Sequence, residues 1–186
     1  MPDQAAIREH LGVHGNGTLG EACPMALVAG YYATLNDRVI DARIAPIQVS
    51  ERSLAAGHLS GSHRDDLMVY DRGYPAFWLL ALHERKQRHF WMRVKRTFCQ
   101  AVETFIGNGA ADQMVVLHPK QAARRRGPEQ GLSAHPLPVR LMRVRLDSGK
   151  SEVLNAWLLD RTHYPAACFQ ERYCLCAGIS KQASSD

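Results

Sequence analysis

The stretch Asp65–Arg96, DDLMVYDRGYPAFWLLALHERKQRHFWMRVKR, decides how this chain is read. Leu67-Met68-Val69-Tyr70 is a short apolar run of the kind that a strand buried on both faces produces. Asp71 follows at its end, where the strand leaves the core. Arg72-Gly73-Tyr74-Pro75 reads as a turn, since Gly73 tolerates positive φ and Pro75 suits the first position of a helix. Ala76 to Leu82 are apolar and Glu84 to Arg88 mostly charged, so a helix is expected to enter the core and leave into solvent. Phe90, Met92 and Val94 then alternate with Trp91, Arg93 and Lys95, as in a half-buried strand. The result is a β–turn–α–β unit with a carboxylate at the carboxyl edge of its first strand, where open α/β sheets place their chemistry.

Upstream, Gln4 to Leu11 reads as a helix and Gly12 to Gly20 as a glycine-rich loop. Those glycines lack the Gly-Lys-Ser/Thr context of a phosphate cradle. Met25 to Leu35 and Val39 to Ile44 read as strands joined by the polar turn Asn36-Asp37-Arg38. Ser50 to Leu59 reads as a helix with Ser50 as its N-cap. These strands and Leu67–Tyr70 are expected in one mixed sheet, with the helix over 76–88 packed on it. Downstream, Val102 to Ile106 and Met114 to Leu117 read as short strands around Gly107-Asn108-Gly109. Lys120 to Gln130 is a basic loop containing Arg124-Arg125-Arg126. Val139 to Leu146 and Val153 to Leu158 read as strands, and Pro165 to Leu175 as the start of a helix. The block over about 97–150 thus reads as a β-rich insertion in an α/β core, within one domain spanning 1–186.

At 186 residues, 46% hydrophobic and 22% charged, the chain has the composition of an ordinary soluble domain with room for a core. The net charge of +5 tilts towards an anionic partner such as nucleic acid. The first residues, MPDQAAIREH, have no apolar segment of the signal-peptide kind, and five cysteines without framework spacing suit a reducing compartment. The expectation is a cytoplasmic protein.

Asp71 is the leading candidate for chemistry. A carboxylate at a strand end beside a glycine turn serves either as a metal ligand or general base, or as an acceptor for backbone N–H groups of the turn. Arg85, Lys86, Arg88, Arg93, Lys95 and Arg96 would gather near one end of the unit, with Trp91 interleaved to stack on a base. The alternative is a solvated helix end. Arg124, Arg125 and Arg126, together with Arg140, Arg143 and Arg145, form a second basic group. The nine histidines are scattered, and no His-Glu-x-x-His occurs. His163 with Cys168, Cys174 and Cys176 matches no common zinc spacing. No nucleophile elbow is present.

The segment Tyr70-Asp71-Arg72-Gly73-Tyr74-Pro75, followed by Phe77, resembles the bacterial insertion-sequence DDE transposases of the Tyr-Arg-Glu-Lys signature group (insertion-sequence family four). There, Asp-Arg-Gly-Tyr-Pro carries the second catalytic acid. Tyr32 to Ala42 is similar to the family's strand pair, Ser50-Glu51-Arg52 to its following helix, and Arg93-Val94-Lys95 to the strand after the motif. The likeness spans roughly Leu11 to Tyr173. It implies an RNase H-like core of mixed sheet and helices, incomplete here and interrupted by a β-rich insertion before the last acid. It also implies DNA as partner (transposon ends and target). Three carboxylates holding two Mg²⁺ ions would activate water or a 3′-hydroxyl for in-line displacement at a phosphodiester.

Residue by residue, the resemblance makes Asp71 the second acid and a metal ligand, and Tyr173 the signature tyrosine. The first acid would lie before Met1. The signature arginine falls at Cys176, the glutamate at Ser180 and the lysine past Asp186. With one of three acids, the chain is expected to be an internal, inactive transposase fragment that neither cleaves nor joins DNA. From a different class, the alternative is a non-catalytic module that binds DNA or a full-length transposase. The tail over about 174–186 reads as frame-shifted. Leu175 to Ala183 can be encoded so that a one-base regrouping puts an arginine codon over position 176 and a glutamate codon over 180.

Overall fold

The computed structural model describes residues 5–14, 23–120, 132, 135–146, 148–169 and 173. Arg124 to Arg126, most of the glycine-rich segment and the tail beyond Tyr173 lie outside the described residues. The chain forms a mixed α/β protein of two compact units, Met1–Gly61 and Ser62–Asp186.

In the first unit, helix α1 (Ala5–Leu11) precedes the two-residue strands β1 (Val13–His14) and β2 (Cys23–Pro24), which pair with each other. The body of the unit is an antiparallel hairpin, β3 (Ala26–Ala33) with β4 (Arg38–Pro46). Asp37 takes φ 50° in its turn, a conformation aspartate tolerates better than most residues, and its carboxylate accepts from the Tyr32 hydroxyl. Helix α2 (Glu51–His58) follows, with Ser50 Oγ accepting from Ser53 N at 3.2 Å as the expected N-cap. It is tied to one hairpin face by His58 Nδ1 to Asp41 Oδ2 at 2.9 Å and by Arg43 Nη2 donating to the Gly57 carbonyl at 3.1 Å. The Asp41 carboxyl is lowered in pKa, first by the hydrogen bond from His58.

The second unit holds a five-stranded mixed sheet in the order β5 (Leu67–Tyr70), β6 (His89–Val94), β9 (Ser151–Ala156), β8 (Leu137–Arg145), β7 (Asp112–Leu117). Strands β5 and β6 are parallel, joined by helix α3 (Phe77–Lys86), and every other neighbouring pair is antiparallel. The register Tyr70↔Met92↔Asn155↔Leu141 defines one face. On that face His83 of α3 packs edge-on to Phe90, and Val102 and Phe105 of helix α4 (Gln100–Gly107) pack on Val94, Leu141 and Val153. The opposite face carries Trp91, Met142, Leu154 and Ala156, covered by Leu158, Phe169 and Tyr173. Period-2 alternation sorts each strand's side chains between these two cores.

Two sequence expectations are corrected here. The strands near Met25, Val39 and Leu67 do not share a sheet: among the described residues β3 and β4 pair only with each other, and β5 is an edge strand of the other sheet. A local turn closes the hairpin, whereas pairing with β5 is non-local, and no described residue makes it. The apolar run 67–70 misleads because only Met68 and Tyr70 are buried, while Val69 is 41% exposed. Second, Val102 to Ile106 is the helix α4 and not a strand. Val102, Phe105 and Ile106 fall at i, i+3 and i+4, a helical stripe that outweighs their β-branched and aromatic character. The block over 97–150, read as β-rich, holds strands and a helix. It contributes α4 together with β7 and β8, which extend the main sheet. Within it, Met114 to Leu117 and Val139 to Leu146 do form strands.

Candidate functional site

Strand β5 stops at Tyr70, and the chain turns with Tyr74 N donating to the Asp71 carbonyl at 3.1 Å. Pro75 is buried and α3 begins at Phe77, two residues later than the proline signalled, since Ala76 is still extended as the N-cap. The parallel register that sets Tyr70 beside Met92 sets Asp71 beside Arg93. Asp71 Oδ1 and Arg93 Nη2 are 2.5 Å apart, with Asp71 65% and Arg93 26% exposed. Strand β9 runs antiparallel to β6, so its first turn lies at this same end and brings in Glu152. Glu152 is only 9% exposed, pairs with Arg72, and has Oε1 3.9 Å from Arg93 Nη1. The Arg72 guanidinium is held still more firmly protonated, first by that hydrogen bond to Glu152.

Tyr173, buried against Trp91 and Phe169, reaches the cluster from the covering layer. Arg93 donates to its hydroxyl, and burial is the largest cause of its raised pKa. The site is therefore two carboxylates and two guanidiniums, interlocked, with a phenol behind them. Asp71 and Tyr173, far apart in sequence, meet on Arg93.

The sheet distributes the sequence's basic residues differently from expectation. Arg93, Lys95 and Arg96 lie at the carboxyl end of β6, beside Asp71, whereas Arg85, Lys86 and Arg88 lie at its amino end. Six residues of strand separate the two groups by about 20 Å. Arg88 is used structurally, donating through Nε to Ser62 Oγ and through Nη1 to the Lys86 carbonyl, both at 3.1 Å. Trp91 stacks on no base: it is 2% exposed, with its ring 4.7 Å from Phe169. Its place in the strand alternation put it among cations in the sequence, but the second core claims it.

Of the second basic group, Arg140 is 1% exposed and bound to Asp112, and Arg143 donates to the carbonyls of Phe105, Ile106 and Ala110 at the end of α4. Arg145, exposed, and Lys150 flank the β8–β9 turn and so join the Asp71 end of the sheet. Among the described residues that end carries a cationic surplus: Arg72, Arg93, Lys95, Arg96, Arg145 and Lys150 against Asp71, Glu152 and Glu103. Glu103 engages Arg96 only at 3.8 Å.

Glu152 escaped the sequence reading because it sits between a Ser-Gly-Lys turn and an apolar strand, where a carboxylate looks solvated. Its partner Arg72 is 80 residues away. Only the pairing of β9 with β6 reveals it. His83, by contrast, is a buried strut. Its Nδ1 donates to the Arg88 carbonyl at 3.2 Å and its Nε2 accepts from the Tyr70 hydroxyl at 2.9 Å, while burial pushes its pKa down to about 4.

The described residues do not fit a two-Mg²⁺ site. Among them no three His, Cys, Asp or Glu side chains converge, and the two carboxylates at the strand end each face a guanidinium. Among them, too, no helix is long and apolar enough to cross a membrane. Searches against protein-family models, curated proteins and solved structures find no match to this chain.

Proposed function

We propose that this chain is a transposase-derived, nucleic-acid-binding α/β protein that shares the DDE transposases' partner but not their strand-transfer chemistry. The reading takes β5, α3 and β6 as part of an RNase H-like core, the segment over 97–150 as an insertion whose β7 and β8 extend its sheet, and Asp71 as the second acid's position. The observation that carries it is the cationic end of the sheet built around Asp-Arg-Gly-Tyr-Pro. Exposed Lys95 and Arg96, with Arg145 and Lys150 across the β8–β9 turn, border a carboxylate pair whose charge is already balanced by Arg72 and Arg93. A phosphate backbone approaching this end meets net positive charge among the described residues. The same neutralisation favours the binding module over the enzyme, because the in-line displacement that the resemblance implies uses carboxylates that hold metal.

The test is retention of duplex DNA at two salt concentrations, together with incubation of supercoiled plasmid with Mg²⁺ or Mn²⁺. Salt-sensitive binding without nicking is expected. Metal-dependent cleavage that disappears in Asp71→Ala would restore the enzyme reading, and absence of DNA binding at low salt would remove both.

A further inference from the structure

We infer that Arg93 stands in for a divalent cation, filling the place between Asp71 and Glu152 with its own guanidinium and closing that carboxylate pair to metal. Two carboxylates, one just past β5 and one in β9, address one guanidinium, Asp71 at Nη2 (2.5 Å) and Glu152 at Nη1 (3.9 Å). A shared cation between two acids is what a metal ion would otherwise supply. Arg93 is held there rather than merely nearby. The parallel register of β5 and β6 fixes its stem beside Asp71, and it donates to Tyr173.

A tethered cation does not have to be captured from solution, whereas Mg²⁺ must shed water that it releases reluctantly. Arg72 adds to the closure by pairing with Glu152, so the buried carboxylate is neutralised from both sides. Asp71 nonetheless remains 65% exposed, so an ion can reach it once the guanidinium is gone. The arrangement accounts for an acid-bearing strand end that fits no metal. It is independent of the nucleic-acid reading, since it is tested without any nucleic acid.

The experiment is a Mn²⁺ titration of the full chain followed by electron paramagnetic resonance, with circular dichroism as a check of folding. The parent chain is expected to hold no Mn²⁺ that Asp71→Asn removes. Arg93→Gln should gain Mn²⁺ affinity by about tenfold or more, because a full positive charge leaves the immediate neighbourhood of the site. Arg93→Lys, which keeps the charge, should gain much less, and Arg93→Gln with Glu152→Gln should lose the gain. If the glutamine variant does not fold, Arg93→Met keeps the packing of the stem and carries the same expectation. Equal affinity in the parent and the folded neutral variant overturns the inference. So does a gain in Arg93→Lys matching that of the neutral variant, or Mn²⁺ binding by the parent that Asp71→Asn abolishes.

Discussion

Two arginine–carboxylate clusters in the same sheet make a controlled comparison. Arg93 and Asp71 meet at the carboxyl end of the parallel strands, with the carboxylate 65% exposed. Arg140 and Asp112 join β8 to β7, with the guanidinium 1% and the carboxylate 20% exposed. Arg140 binds Asp112 through Nε at 2.9 Å and Nη2 at 2.7 Å, donates to the Tyr164 carbonyl at 2.6 Å, and lies 5.1 Å from the Phe169 ring centre. It holds the Asp112 carboxyl below its ordinary pKa. Every arm of Arg140 is committed inside the protein, so its charge is structural. Arg93 is committed only by half, and its partner still faces water. The same residue pair thus serves the fold in one place and a surface in the other, and burial sets the difference.

The largest effect expected follows from that contrast. Arg140→Ala should cost about 3 kcal/mol of stability, by leaving the Tyr164 carbonyl unpaired and Asp112 with only Arg161 at 3.3 Å. Urea unfolding measures it, and a loss below about 1 kcal/mol would make the two clusters equivalent. Next in size is a pH effect at His83. Its folded pKa of about 4 lies below the unfolded 6.5, so between those values the unfolded chain binds the extra proton. Stability is therefore fully present above about pH 6.5 and falls as the pH drops towards 4, by up to about 3 kcal/mol. Unfolding free energies at pH 7, 5.5 and 4.5 test it, and a flat profile would remove His83 from the core's account.

A smaller effect separates the two ends of the sheet. Lys95→Ala with Arg96→Ala should lower the salt slope of DNA binding by about 2, whereas Arg85→Ala with Lys86→Ala should leave it nearly unchanged. Equal losses from both pairs would spread the interface over the whole unit. The smallest effect is Asp71→Ala, which should change stability by no more than about 0.5 kcal/mol and leave DNA retention intact or slightly stronger. A loss of 2 kcal/mol there would place Asp71 with Asp112 as a structural acid.

The parts of this molecule legible in its sequence are those with local causes. The β5–turn–α3–β6 unit was readable because alternation, a glycine turn and an apolar helix follow one another within thirty residues. Ser50 declared its cap for the same reason, through a bond to a backbone N–H three residues on. Val102 to Ile106 failed because β-branched and aromatic residues satisfy strand and helix patterns alike over five positions. The placement of Leu67–Tyr70 at a sheet edge also escaped, since four apolar residues do not say how many neighbours they have.

What the sequence determined by itself is the acid at the strand end and the turn that presents it, because backbone sterics and side-chain periodicity act between near neighbours. What only the tertiary structure decided is the company that acid keeps. Strand register delivered Arg93, antiparallel pairing delivered Glu152, and the covering layer delivered Tyr173. It also took Trp91 and Arg140 out of the surface and into the core. A charge acquires its role from dielectric and partners, and both depend on which distant strands lie side by side.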